Sequence, residues 1–192
     1  MGAEGFQPGG RDPAPAPLDL VQDFVNTEIP DWARDDIGSP ELLEGWLRAR
    51  SLLGQDERVD GDAFVTAREL RSTIRALALL NNVGGRLDPG LQDDVARAVS
   101  DLQLVVVVQN DGRLVAVPGG AGAKRALAAI AAVVMDTQAS GAWARLKACR
   151  KEGCGWLFYD GSRNGSSTWC SMSICGNRAK TAAYRRRRGK TS

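Results

Sequence analysis

Apolar residues in LDLVQDFVNT fall at Leu18, Val21, Phe24 and Val25. Steps of three to four residues put them on one stripe and predict a helix over 18–26. Pro30 ends it, and a loop through Trp32 and Asp36 leads to Ser39-Pro40-Glu41. There Ser39 can cap a second helix with Pro40 at its first position, carrying Leu42, Leu43, Trp46 and Leu47. The same period runs through Phe64, Leu70, Ile74, Leu77 and Leu80 and predicts the longest helix between residues 60 and 82, closed by Gly84-Gly85. Leu91, Val95 and Val99, four apart, predict another helix over 88–100. The period then changes. Residues 103–108 and 114–117 are β-branched runs on either side of Asn110-Asp111-Gly112, which predicts a hairpin. A single hairpin is marginal, so it must pack on the helices. Pro118-Gly119-Gly120 ends it, and residues 121–136 form an Ala-rich helix broken near Ser140-Gly141.

The flanks read differently. Residues 1–17 are rich in Gly, Pro and Ala and are expected to be disordered. They lack the apolar core of a signal peptide, and the most apolar stretch, residues 126–135, is too short to span a bilayer. A cytoplasmic protein with no membrane partner is therefore expected. The chain has no histidine, which excludes Ser-His-Asp and Cys-His catalysis, helical HExxH zinc proteases and Cys2His2 fingers.

Charge divides the chain. Lys and Arg number 25 against 23 Asp and Glu, yet residues 145–192 hold 12 of those cations and only two of the acids. The tail is thus strongly basic and the remainder acidic, which points the tail toward a polyanion. Nothing before the cysteines spells out chemistry. Asp19, Asp23 and Asn26 lie close together, as do Asp31, Asp35 and Asp36; paired carboxylates can do acid–base work or hold a cation, but a solvated face is the plainer reading. Asn26, Trp32 and Trp46 are candidates for a ligand pocket, with core packing the alternative for the tryptophans. No phosphate-binding glycine loop is present. An enzyme is not expected, because any chemistry in this part would have to run on carboxylates.

All four cysteines, Cys149, Cys154, Cys170 and Cys175, lie in the last 44 residues with the spacing Cys-x4-Cys-x15-Cys-x4-Cys. Two close pairs separated by about 10–20 residues suit a four-thiolate tetrahedral zinc site, the spacer running out and back as a hairpin. One structural Zn2+ is the expected cofactor. It would supply folding free energy that about 40 residues cannot find in a core of their own. Four thiolates leave no open position for catalysis, and two disulfides are the alternative. The last cysteine opens a helix, in which Cys175-Gly176-Asn177-Arg178 is followed by AKTAAYRRRRGK, with Arg178, Lys180, Arg185, Arg186, Arg187 and Arg188 as candidate nucleic-acid contacts together with Asn177. Arg forms bidentate contacts with phosphate, and a run of four that wraps the helix suits backbone more than base edges. DNA is the expected partner. RNA or a ribosomal site is the alternative, with only Tyr184 available for stacking.

These residues resemble the CGNR zinc-finger proteins of bacteria. The resemblance rests on Cys149 and Cys154, LFYDGSRN at 157–164, Trp169-Cys170-Ser171-Met172, and Cys175-Gly176-Asn177-Arg178-Ala179-Lys180. The N-terminal part is similar to that family's partner domain, ABATE, through LDLVQDFVNT and the run from Asp36 to Leu42, continuing to Trp46-Leu47. The resemblance implies a transcriptional regulator whose zinc module binds DNA and whose N-terminal domain senses a ligand or stress; because one module with about five phosphate contacts binds weakly, dimerisation through the helical domain is the alternative expectation. Where the family carries Arg in the loop before the Trp-Cys pair, this chain has Gly165-Ser166-Ser167-Thr168, so the helix must carry more of the binding. The expected architecture is α+β. A mostly helical N-terminal domain with a small antiparallel hairpin (18–140) precedes a four-Cys zinc module ending in a basic helix (145–190).

Overall fold

The computed structural model describes residues 7–188, with side chains through residue 182. The first apolar stripe forms α1 (Leu18–Asn26), burying Leu18, Val21, Phe24 and Val25. A short antiparallel pair follows, β1 (Glu28–Ile29) and β2 (Arg34–Asp35), joined by a 3-10 turn at Pro30–Trp32. The sequence predicts only a loop here, since two-residue strands leave no alternation to read. Three helices then begin at side-chain caps. Ser39 Oγ accepts from Leu42 N (3.3 Å) at α2 (Pro40–Ala49), and Asp60 Oδ1 accepts from Ala63 N (2.7 Å) at α3 (Gly61–Val83). Asp88 Oδ1 accepts from Leu91 N (3.0 Å) at α4 (Pro89–Ser100). The predicted hairpin is β3 (Leu104–Val108) with β4 (Leu114–Pro118), Leu104 opposite Pro118 and Val108 opposite Leu114. It packs on α5 (Gly122–Ala139), whose run of alanines lets neighbouring helices approach closely. A second hairpin, β5 (Leu146–Ala148) with β6 (Leu157–Tyr159), precedes the final helix α6 (Asn177–Arg188). The fold is α+β, mostly helical with small antiparallel sheets, as the sequence predicts.

The cysteine segment does not stand apart from the rest. Trp143, Leu146, Ala148 and Leu157 belong to the same apolar cluster as Phe24 of α1, Leu70 and Ile74 of α3, and Leu127 and Ile130 of α5. A three-residue strand pair cannot shield its own apolar side chains, so β5 and β6 fill the groove between α1 and α3. Asn26 fixes the register: its Nδ2 donates to Leu157 O (2.9 Å) and its Oδ1 accepts from Leu157 N (2.8 Å).

The expected disorder of residues 1–17 fails for residues 7–17. Gln7 and Ala14 are buried there, and Ala14 N donates to Gln22 Oε1 at 2.7 Å. Arg11 reaches the far end of the chain, Nε donating to Cys170 O (2.8 Å) and Nη2 to Trp169 O (2.9 Å). A Gly/Pro/Ala-rich composition registers the lack of a local periodic structure. It does not register a strap held by long-range polar contacts. Residues 1–6 lie outside the described residues.

One buried charge orders the middle of the fold. Arg71 on α3 is 1% exposed, and its Nη1 and Nη2 grip Asp35 Oδ1 and Oδ2 (2.7 and 2.9 Å), with Nη1 also donating to Thr27 Oγ1 (3.1 Å). Burial alone would raise the Asp35 carboxyl, but the bidentate Arg71 outweighs it and holds Asp35 below the ordinary carboxylate range. The ion pair thus anchors β2 to α3.

Candidate metal centre and basic helix

Strand β5 delivers Cys149, whose N donates to Trp156 O (2.9 Å), and a tight turn returns the chain to Cys154, whose N donates to Lys151 O (3.0 Å). Gly155 sits at φ +61, and a Cβ there would stand 2.9 Å from Arg75 Cδ, so both backbone and space demand glycine. The second pair is bridged by a π-helical turn, Met172–Gly176, in which Cys175 N and Gly176 N both donate to Ser171 O (2.9 and 3.0 Å). A Cβ on Gly176 would collide with Met172 Sδ and stand 3.2 Å from Trp169 Cδ1. This glycine lets Trp169 and Met172 close over the second pair.

All four Sγ atoms are buried and lie within 4.8 Å of one another. Three of the six separations are 3.5 Å (Cys170 to Cys175), 3.7 Å (Cys175 to Cys154) and 3.8 Å (Cys154 to Cys170). A tetrahedral zinc with Zn–S of about 2.3 Å places its sulfurs about 3.8 Å apart, whereas a disulfide needs about 2.05 Å. The arrangement therefore fits a four-thiolate ion and none of the four cysteines is disulfide-bonded. Its electrostatics agree. Thiol hydrogen bonds from Cys154 and Cys170 hold Cys149 well below the ordinary thiol range. The thiols of Cys154 and Cys170 are pushed up by sharing their protons with Cys149, and burial raises Cys175. A buried cluster accepts one negative charge readily and resists the next, which is the deficit a divalent cation relieves.

The surroundings are supplied by both ends of the chain. Ile29, Trp156 and Phe158 pack around the sulfurs, and the Arg11 guanidinium lies 4.6 Å above the Phe158 ring. Asn82 of α3 donates to Ala148 O (2.6 Å) and Thr168 O (2.9 Å), tying the two cysteine loops to one side chain. Beneath them Lys147 Nζ meets Asp160 Oδ2 (2.9 Å), with Asp160 fully buried and Lys147 5% exposed. Asp160 also accepts from Ser162 Oγ (2.6 Å), Ser162 N (3.1 Å) and Ser167 N (2.9 Å). Burial alone would raise this carboxyl; the bonds from Ser162, Lys147 and Ser167 overcome it and hold Asp160 far below its ordinary value. None of Arg11, Asn82, Lys147 and Asp160 is evident from spacing. The Asp160-Gly161-Ser162 turn is the one local signal, since Asp side chains cap their own backbone two residues on.

The basic helix begins at Asn177, two residues after the fourth cysteine. Asn177, Arg178 and Lys180 are exposed, Asn177 Nδ2 donating back to Ser173 O (3.2 Å). Arg185, Arg186, Arg187 and Arg188 belong to α6, but their side chains lie outside the described residues.

The proposed pocket residues do not come together. Asn26 holds Leu157, and Trp46 packs on Phe24 (centroids 5.6 Å apart) under Arg50 (3.9 Å). Trp32 is 56% exposed with its ring 6.4 Å from Trp156. The acidic loop is likewise engaged: Asp31 pairs with Lys151, Asp35 with Arg71 and Asp36 with Arg34. A cavity of about 530 Å³ lies elsewhere, between α3 and α4. Among the described residues no helix is long and apolar enough to cross a membrane.

Two family models match the chain, in order. The ABATE model, described as "Putative stress-induced transcription regulator", covers residues 18–141, well over half of the sequence. The chain belongs to the ABATE family. Behind its ABATE domain the CGNR zinc-finger model covers residues 145–188, which contain the four-thiol cluster. No curated protein matches this ABATE chain. The four letters of the finger's name now have places in the fold. Cys175 supplies a sulfur and Gly176 permits the close approach of Met172 and Trp169. Asn177 and Arg178 open the exposed face of α6.

Proposed function

We propose that this ABATE protein is a zinc-dependent DNA-binding transcription regulator, not an enzyme. The carrying observation is the buried four-thiol cluster whose last member, Cys175, stands two residues before the start of α6. One zinc held by Cys149, Cys154, Cys170 and Cys175 would be structural, because four sulfurs complete its tetrahedron. Its effect would be to fix the first turn of a helix reading NRAKTAAYRRRR, so that Arg178, Lys180 and Arg185 to Arg188 meet phosphates from a rigid base. Buried reduced thiols suit the cytoplasm. The acidic ABATE part repels nucleic acid and would serve as sensor or pairing surface. Val106, Val108 and Leu114, 65–69% exposed on the β3–β4 hairpin, support pairing, which would place two fingers on two half-sites.

Binding to DNA should weaken steeply with salt. If about five cations sit on phosphates, log K falls against log salt with a slope of roughly −4 to −5. Changing Arg187 and Arg188 to Ala should weaken binding to every sequence and flatten the slope by about 2. A double mutant with the parental slope would show that the tail does not touch DNA. Selection of genomic fragments with an equal mass of RNA as competitor separates the RNA reading: preferential loss to RNA would replace DNA as the partner.

A further inference from the structure

The cavity between α3 and α4 has a feature that the finger does not explain. Arg71, buried on its wall, satisfies both Nη atoms with Asp35 and Thr27, yet its Nε is one of two buried side-chain polar atoms with no hydrogen-bond partner among the described residues. The nearest carboxylate, Glu28 Oε2, stays 3.6 Å from it because Arg75 Nη1 holds that oxygen at 2.7 Å. A buried guanidinium N–H left with only this longer ion pair is short of a hydrogen-bond acceptor. One turn away, Arg68 borders the same cavity, is exposed, and has no ion-pair partner among the described residues. Val65, one turn before Arg68 on α3, and Leu91 on α4 supply apolar wall, and the volume lies in the usual range for small-molecule sites.

We propose that this cavity binds a small carboxylate with an apolar body, its oxygens accepting from the exposed Arg68 and, by taking the place of Glu28, from Arg71 Nε. The proposal rests on reading the ABATE part as a sensor and names the chemistry it would sense. The route to the metal is short. A ligand carboxylate on Arg71 Nε displaces Glu28 toward Arg75. The Nε of Arg75 donates to Gly155 O (3.2 Å), beside Cys154. Occupancy therefore bears on the loop that carries the first thiol pair.

Benzoate is the minimal probe, one carboxylate on one apolar ring. Calorimetry on the full zinc-loaded chain at fixed ionic strength should show saturable benzoate binding at least tenfold tighter than benzyl alcohol. Arg68→Ala, on the exposed rim, should weaken it at least fivefold without lowering Tm. Leu91→Trp should abolish it by filling the cavity. Saturating benzoate should change DNA affinity at least threefold. Benzylammonium binding more tightly than benzoate would overturn the proposal in favour of the acidic wall residues Glu69 and Asp94, and absence of saturable binding by any probe would overturn it outright. DNA affinity unmoved by bound benzoate would overturn the relay. Intact DNA binding with no benzoate site sinks this inference alone, whereas lost DNA binding sinks the regulator reading.

Discussion

Removing zinc from the purified protein with a strong chelator, or replacing Cys175 with Ser, is expected to collapse the finger and to loosen the ABATE core with it. Structural zinc contributes about 10–16 kcal/mol to modules of this kind, against a net stability of about 5–15 kcal/mol for a whole domain. No compensating core exists in residues 149–176, whose buried apolar side chains are mainly the cysteines, Trp156, Leu157 and Phe158. Because β5 and β6 lie in the groove between α1 and α3, the loss should not stay local. Amide exchange should speed up at Leu146–Ala148 and Leu157–Tyr159 and in the facing turns of α1 and α3, and DNA binding should vanish. An apo protein with unchanged exchange and unchanged Tm would show that the metal does not hold the fold. An independent finger would instead give fast exchange confined to residues beyond 149.

The second large effect belongs to Asp160. Replacing it with Ala strands the Lys147 ammonium in a site 5% exposed and frees Ser162 and Ser167 from their acceptor. Breaking a buried pair from one side costs about 3–5 kcal/mol, which for a chain this size lowers Tm by roughly 10 °C. Lys147→Met in the same background should recover part of that loss by removing the orphaned charge. Asp160→Asn separates charge from shape. The carboxyl of Asp160 is held below its ordinary value in the fold, so its contribution is complete above the unfolded pKa of about 3.9 and fades as pH falls through the folded value. The stability gap between the parent and Asp160→Asn should therefore be constant near neutrality and narrow below about pH 4 in urea titrations. A gap that widens on acidification would mean that Asp160 is protonated in the folded protein.

How much of this was legible before folding depended on the range of each signal. Helices α1 to α5 announce themselves because their apolar stripes, and at α2 the Ser39 cap, are complete within a few residues. The thiol cluster is legible for the same reason, since each pair closes a local loop and the two loops share one spacing. Strands β5 and β6 are not. Three residues carry no period, and their partner groove on α1 and α3 is more than 60 residues away in sequence. Asn26 looked like a pocket residue because its real partner, Leu157, is 131 positions distant. Nothing in the neighbours of Arg71 marks its partner Asp35, 36 positions earlier in the chain. The acidic loop, plausible as a cation site in isolation, is neutralised by Lys151, Arg71 and Arg34, each from its own place in the chain. Long-range polar pairs leave no mark on local composition.

Arg11 holds the carbonyls of Trp169 and Cys170, 158 and 159 positions further along, and this has a meaning for synthesis as well as for stability. On a ribosome adding about 5–20 residues per second, Arg11 is joined to the chain roughly 8–30 s before its partner is. For most of that interval the groove on α1 and α3 stands open, because Leu146 and Leu157 are also still to come. The helical part emerges first but has nothing to close it, and the last quarter of the chain completes the core, the thiol cluster and the clasp on the N-terminal strap together. Truncated or stalled chains lacking that last quarter would therefore be exposed to proteolysis, whereas full-length chains would pass from open to closed in one late step.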